Sequence, residues 1–184
     1  MKATPYIKAL ICILLASNTV LSVNAQDNEQ LTRFKAVFVY NFITYIHCPE
    51  SEQPAVLKIG ILGNSSLEEP LREIAKKKST RKRKLLVDVG ENIEDLEQCQ
   101  VLFIPSEQVG KLKEIQQRLG NQNVLTVTDT PGLADQGVAI NFVLIDGRLK
   151  FEINQKALQH AGLHASAQLL KLAILVNGAG EAIR

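Results

Sequence analysis

The sequence predicts a single-domain α/β fold: a largely parallel sheet covered by helices, with a C-terminal antiparallel β-hairpin and two terminal helices. Three observations carry this. Short apolar runs alternate with segments of helical periodicity from Leu57 to Val127, the rhythm of βαβ units. The strand-like runs are continuously apolar rather than alternating, as strands covered on both faces are. Two β-rich runs then flank Asp146-Gly147 within Gly137 to Asn154, GVAINFVLIDGRLKFEIN, and that dipeptide suits a tight turn with positive φ at both central positions.

The first element is a helix over Gln30 to Ile46, with Leu31, Phe34, Phe38, Phe42 and Tyr45 at spacings of three and four. Val37, Tyr40 and Ile43 make a second apolar stripe beside the first. A helix apolar around so much of its circumference is expected to be buried on more than one side, with both stripes inside the core. The other reading gives one stripe to a dimer or partner interface. Leu57 to Leu62 follows as a strand, Leu67 to Lys77 as a helix, and Lys84 to Val89 and Val101 to Ile104 as strands. Val109 to Leu119 reads as a helix and Val124 to Val127 as a strand. The hairpin is expected at one edge of the sheet. Asn154 stands where a helix N-cap belongs, its side-chain oxygen able to accept from free N–H groups ahead of Gln155 to Leu158. Gly162 ends that helix, and Ser166 to Val176, SAQLLKLAILV, reads as the last.

The N-terminus has the pattern of an export signal. Lys2 and Lys8 precede a short apolar stretch, and Val23-Asn24-Ala25 offers small residues for cleavage. The expected division is therefore a signal peptide over 1–25 and one α/β domain over 26–184. The 21 basic residues nearly balance the 19 acidic ones, and cleavage would remove Lys2 and Lys8. Near neutrality argues against nucleic acid as a partner. Cys12 falls within the signal, leaving Cys48 and Cys99 for an oxidising compartment. These two either form a bridge or stay as separate buried thiols, since spacing in sequence does not fix the Cα separation a bridge needs.

Two blocks of sequence resemble a known family. One is Phe151-Glu152-Ile153-Asn154 followed by Ala157-Leu158, Ala161-Gly162-Leu163, Ser166 and Leu169-Leu170-Lys171-Leu172-Ala173; the other is Lys35 to Ile43 with Tyr45-Ile46. Together they resemble YfiR-like periplasmic proteins over most of the chain after residue 30. The chain departs from that family where Cys48-Pro49 replaces a Trp-Pro. It departs again where a cysteine on the first strand, paired in other members with one before the third strand, is replaced by Gly60 while Cys99 remains. The resemblance implies a periplasmic regulator that binds the sensor domain of a membrane-bound signalling protein, a diguanylate cyclase in the type member, and holds it inactive. An outer-membrane or envelope protein could capture and release it, and a homodimer is compatible with the same reading.

Chemistry-bearing motifs are sparse. Strand ends at Gly63-Asn64-Ser65-Ser66, Pro105-Ser106 and Asp129-Thr130-Pro131-Gly132 could cradle a small ligand near Ser66, Ser106 and Asp129, although each also reads as a turn or cap. That crevice would suit a small-ligand sensing module, the alternative to a signalling repressor. His160 and His164 share a spacing of four, but Gly162 between them breaks the helix a metal pair would need, so no metal is expected. Neither Ser66 nor Ser106 lies in Gly-x-Ser-x-Gly, and no Cys-x-x-Cys is present. The expectation is a binding protein without a cofactor rather than an enzyme. A partner-binding patch is expected around Glu152, Asn154, His164, Gln168 and Lys171, where the family resemblance is strongest. Seven basic residues in Lys76-Lys77-Lys78 and Arg81-Lys82-Arg83-Lys84 form either a solvated run or a contact for anionic lipid, lipopolysaccharide or an acidic surface.

Overall fold

A computed structural model describes residues 28–48, 54–96, 98–120 and 122–177, together with the backbone of 182–183. The expected signal peptide, its cleavage site and Cys12 lie outside the described residues.

Helix α1 spans 28–45 and runs into β1 (Ile46–His47). There follow β2 (Val56–Leu62), α2 (Glu68–Lys78), β3 (Lys84–Gly90), β4 (Val101–Ile104), α3 (Leu112–Leu119) and β5 (Leu125–Thr128). The hairpin is β6 (Ile140–Ile145) and β7 (Arg148–Asn154); after it come α4 (Gln155–His160), β8 (His164–Ala165), α5 (Ala167–Leu172), β9 (Ile174–Val176) and β10 (Ala182–Ile183). Two short 3₁₀ turns, Ile93–Leu96 and Ser106–Lys111, flank β4. The main sheet has the order β10-β9-β7-β6-β5-β4-β2-β3. The pairs from β3 to β6 are parallel, β6 and β7 pair antiparallel, and β7 and β9 are parallel again. The fold is α/β, as the sequence predicts.

Alternation along the strands separates two cores. Leu57, Ile59 and Ile61 of β2, Val101 and Phe103 of β4, and Leu125 and Val127 of β5 enter one, beneath α1, α2, α4 and α5. Leu62, Leu102 and Ile104 point the other way, against Ile93, Leu96 and the apolar face of α3. Two buried faces explain why these strands read as continuous apolar runs.

Two expectations need correction. The hairpin is not at the sheet edge, because β9 pairs with β7 and β10 continues beyond it. Likewise Ser166 to Val176 is not one helix: α5 stops at Leu172, and Ile174-Leu175-Val176 forms β9. A three-residue β-branched and leucine run has no periodicity of its own, and the open side of β7 makes it a strand. Local cues were followed elsewhere. Asp146 and Gly147 both take positive φ, 51° and 70°, and Asn154 Oδ1 accepts from Ala157 N at 2.9 Å while Ser166 Oγ caps α5 through Leu169 N.

The far edge, β3, is closed over its first half by its own neighbours. Ser79 Oγ accepts from Leu85 N at 3.0 Å and donates to Leu85 O at 3.3 Å, and Arg72 Nη1 donates to Val87 O at 2.9 Å. These are outward-facing groups on an edge that would otherwise offer a template for strand addition.

Candidate functional site

The site grows from α1 and the hairpin. Ala36, Val39 and Phe42, three and three apart, form the buried line of α1. Phe38 and Phe42 meet Phe142 of β6 and Phe151 of β7 with ring centroids 5.3–6.2 Å apart, separations at which tilted aromatic pairs attract beyond their buried area. This cluster pins the hairpin beneath the helix. Lys35 adds an ion pair to Asp129 at 2.6 Å, from α1 to the end of β5.

Beyond the cluster, towards the start of α1 and the tip of the hairpin, apolar side chains run out of partners. Leu31, Phe34 and Phe38 on one side and Leu144 and Leu149 on the other line an open groove of about 750 Å³, with Asn28, Gln30 and Arg148 at its rim. Phe34 is 52% exposed and Leu144 58%. Val37 and Tyr45 are exposed along the same helix. The expectation that both stripes of α1 are internal is thus corrected: the sheet accommodates one face of the helix, and part of the remaining apolar surface meets solvent. Exposed apolar surface gathered in one place marks an interaction site more often than isolated residues do.

The expected partner patch is not contiguous. Glu152 and Asn154 lie on the face of β7 opposite Phe151 and Ile153, both of which enter the α1 core. Asn154 is buried, donating to Ala134 O at 2.6 Å while it caps α4, so it is unavailable to a partner. Glu152 is half-buried and accepts from Asn141 Nδ2 at 2.8 Å. His164, Gln168 and Lys171 are exposed and sit across the sheet, on β8 and on α5, whose Leu169 enters the α1 core.

At the crevice between β2 and β4, where the strand order reverses, Gln108 lies over Gly63, its Nε2 2.6 Å from the position a Cβ would occupy there. Ser66 and Ser106 are exposed, and Asp129 is engaged by Lys35. A second groove, of about 610 Å³, lies between α3, the 135–137 turn and α4, and mixes Gln116, Asp135 and His160 with Leu119, Val124 and Ala157 along its lining. Ser66, Ser106 and Asp129 are not among the lining residues of either groove.

Cys48 and Cys99 are both free. Cys48 packs against the α1 core and Cys99 belongs to the core on the other face, so a bridge between them would have to pass through the sheet. Instead Cys99 faces Gly60: a Cβ placed on Gly60 would stand 3.1 Å from Cys99 Sγ and 3.3 Å from its Cβ. Burial pushes the Cys99 thiol up to about 12 from 9.0, which keeps it protonated and unreactive. His47 and His164 face one another across the β1–β8 ribbon, a pairing sequence spacing could not reveal. Among the described residues no group of three histidine, cysteine or acidic side chains is arranged to hold a metal.

Sequence reasoning placed Phe34 in an apolar stripe without singling it out as exposed, and missed the groove residues Leu144 and Leu149. The signal was present in Val143-Leu144-Ile145, three consecutive apolar residues beside a polar turn, which an alternating strand cannot bury together.

A family model described as YfiR/HmsC-like matches residues 32–174. No curated protein matches the chain.

Proposed function

The chain belongs to the YfiR/HmsC-like family, and from that membership we propose that it is a periplasmic regulator. In this reading it binds the periplasmic sensor domain of an inner-membrane signalling protein and represses it, the output being a diguanylate cyclase. The observation that carries the binding role is the apolar groove between α1 and the hairpin tip, with Phe34 and Leu144 more than half exposed. An apolar centre with a polar rim is the usual anatomy of a protein interface. Among the described residues no helix is long and apolar enough to cross a membrane, which fits a protein acting on a membrane partner from outside the bilayer.

Repression needs preferential binding to the inactive state, because a ligand with equal affinity for both states shifts neither. Release would come from a third component that competes for the groove, such as an envelope protein that sequesters the regulator.

The test is cellular cyclic di-GMP in a deletion strain complemented with wild type or with Leu144→Glu. Deletion should raise it, wild type should restore it, and Leu144→Glu should fail to do so while accumulating normally. Unchanged cyclic di-GMP on deletion would overturn the repressor reading, and full complementation by Leu144→Glu would remove the groove from it.

A further inference from the structure

The most concentrated charge in the molecule plays no part in the groove. Residues 76–84, Lys-Lys-Lys-Ser-Thr-Arg-Lys-Arg-Lys, are all exposed, and no acidic residue lies between Glu73 and Asp88. Seven of the 21 basic residues are gathered there, and the other 14 are outnumbered by 19 acidic ones. A nearly neutral chain is thereby strongly polarised.

Structural duties account for part of the run only. Lys76, Lys77 and Lys78 occupy the last turn of α2, where cations complement the helix dipole. Lys77 also reaches Glu73 at 3.9 Å, and Lys78 lies over the Tyr40 ring at 5.7 Å. Ser79 and Arg72, rather than the remainder of the run, occupy the N–H and carbonyl of Leu85 and the carbonyl of Val87 on the β3 edge. Arg81 and Lys82 sit on the turn that Thr80 closes through Arg83, and among the described residues neither has an ion-pair partner.

We propose that this corner docks on a bilayer surface carrying anionic phospholipid, its cations meeting headgroup phosphates. The run contains no apolar or aromatic residue. It therefore lacks the dry centre of a protein interface and the stacking platform of a single-strand binder, whereas an anionic lipid surface asks only for clustered cations on long stems. The placement is also suitable. α2 runs antiparallel to the strands, with Arg72 near Val87 and Ser79 near Leu85, so the basic turn lies where β2 and β3 begin. The groove lies at the opposite end, where β6 turns into β7. Docking would leave the groove facing away from the bilayer, towards a projecting sensor domain. The setting rests on the envelope location proposed above; the lipid binding itself does not.

The experiment is co-sedimentation of the purified protein, as cells process it, with phosphatidylcholine vesicles lacking or containing phosphatidylglycerol. The variants are Arg81→Gln with Lys82→Gln, and a control, Lys113→Gln with Lys156→Gln, that changes net charge equally on the exposed sides of α3 and α4. Each cation near an anionic surface contributes about five-fold to partitioning, so the first variant should bind about thirty-fold more weakly while the control loses little. Binding should vanish at about 1 M salt, where the screening length falls to about 3 Å. Equal binding to neutral vesicles, equal losses in both variants, or no vesicle binding by wild type would each overturn the proposal. In the last case, loss of an acidic envelope protein from pull-downs with Arg81→Gln and Lys82→Gln would assign the corner to that protein instead. Because this assay contains no signalling partner, its failure is distinct from a failure of the repressor reading.

Discussion

Replacing Gly60 with cysteine should create a disulfide to Cys99 in a protein whose own two described cysteines are free. The built Cβ stands 3.3 Å from the Cys99 Cβ, slightly inside the usual range of about 3.5–4.5 Å. The two segments need part by only a few tenths of an ångström. Leu102 Cδ1, at 3.4 Å, remains at ordinary contact. The bridge would close a loop of about 40 residues, for which the chain-entropy relation gives about 4 kcal/mol of stabilisation, less whatever strain the adjustment adds. For a domain of this size that corresponds to a rise of about 10 °C in Tm. Reduction should reverse the effect and leave the variant below wild type, because an unbridged thiol at 60 overpacks the core by about 1–3 kcal/mol. The assay is thiol titration in denaturant, expecting two fewer thiols in the oxidised variant than in the reduced one, followed by melting of both forms. An oxidised variant with no bridge, or with a bridge and no gain over wild type, would refute the placement of Cys99 against β2.

Other perturbations read other parts of the structure. Asn154→Ala removes the cap of α4 and one of two donors to the Ala134 carbonyl, which keeps its bond from Gly137 N, so chemical denaturation should show a loss of about 2 kcal/mol, and a change under about 0.5 kcal/mol would contradict its internal role. Cys99 has a folded pKa raised to about 12 from 9.0; both states hold the proton below pH 9, and above it the unfolded state ionises first. Wild type should therefore lose about 1.4 kcal/mol per pH unit between roughly pH 9 and 12 relative to Cys99→Ala, and parallel pH profiles would show that the thiol is not buried. With a thiol reagent at neutral pH, Cys48 should react in the folded protein and Cys99 only on unfolding.

Much of the fold was legible because its cues are local. The Asp146-Gly147 turn, the Asn154 cap and the apolar runs from Leu57 to Val127 each specify their element without distant partners. What escaped depends on contacts between distant residues. Ile174-Leu175-Val176 becomes a strand only because β7 has an unpaired side, and the β1–β8 ribbon joins segments more than 100 residues apart. The face of β7 that carries Glu152 and Asn154 follows from strand alternation, but that α5 lies on the other side of the sheet does not. The same limit hid the site. Phe34 could be assigned to an apolar stripe from its spacing, whereas its exposure depends on how far the hairpin reaches along α1. Gly60, identified by resemblance as the position of a missing cysteine, is the long-range inference whose geometry the structure supplies, through its close approach to Cys99.

The central claim is that the groove receives a membrane signalling protein, and photo-crosslinking in intact cells tests it most directly. A photoreactive residue at 144 should yield an adduct with an integral membrane protein that carries a periplasmic domain, and the same residue at 113, on α3, should not. Adducts of equal yield from both positions, or none with a membrane protein from 144, would contradict the account.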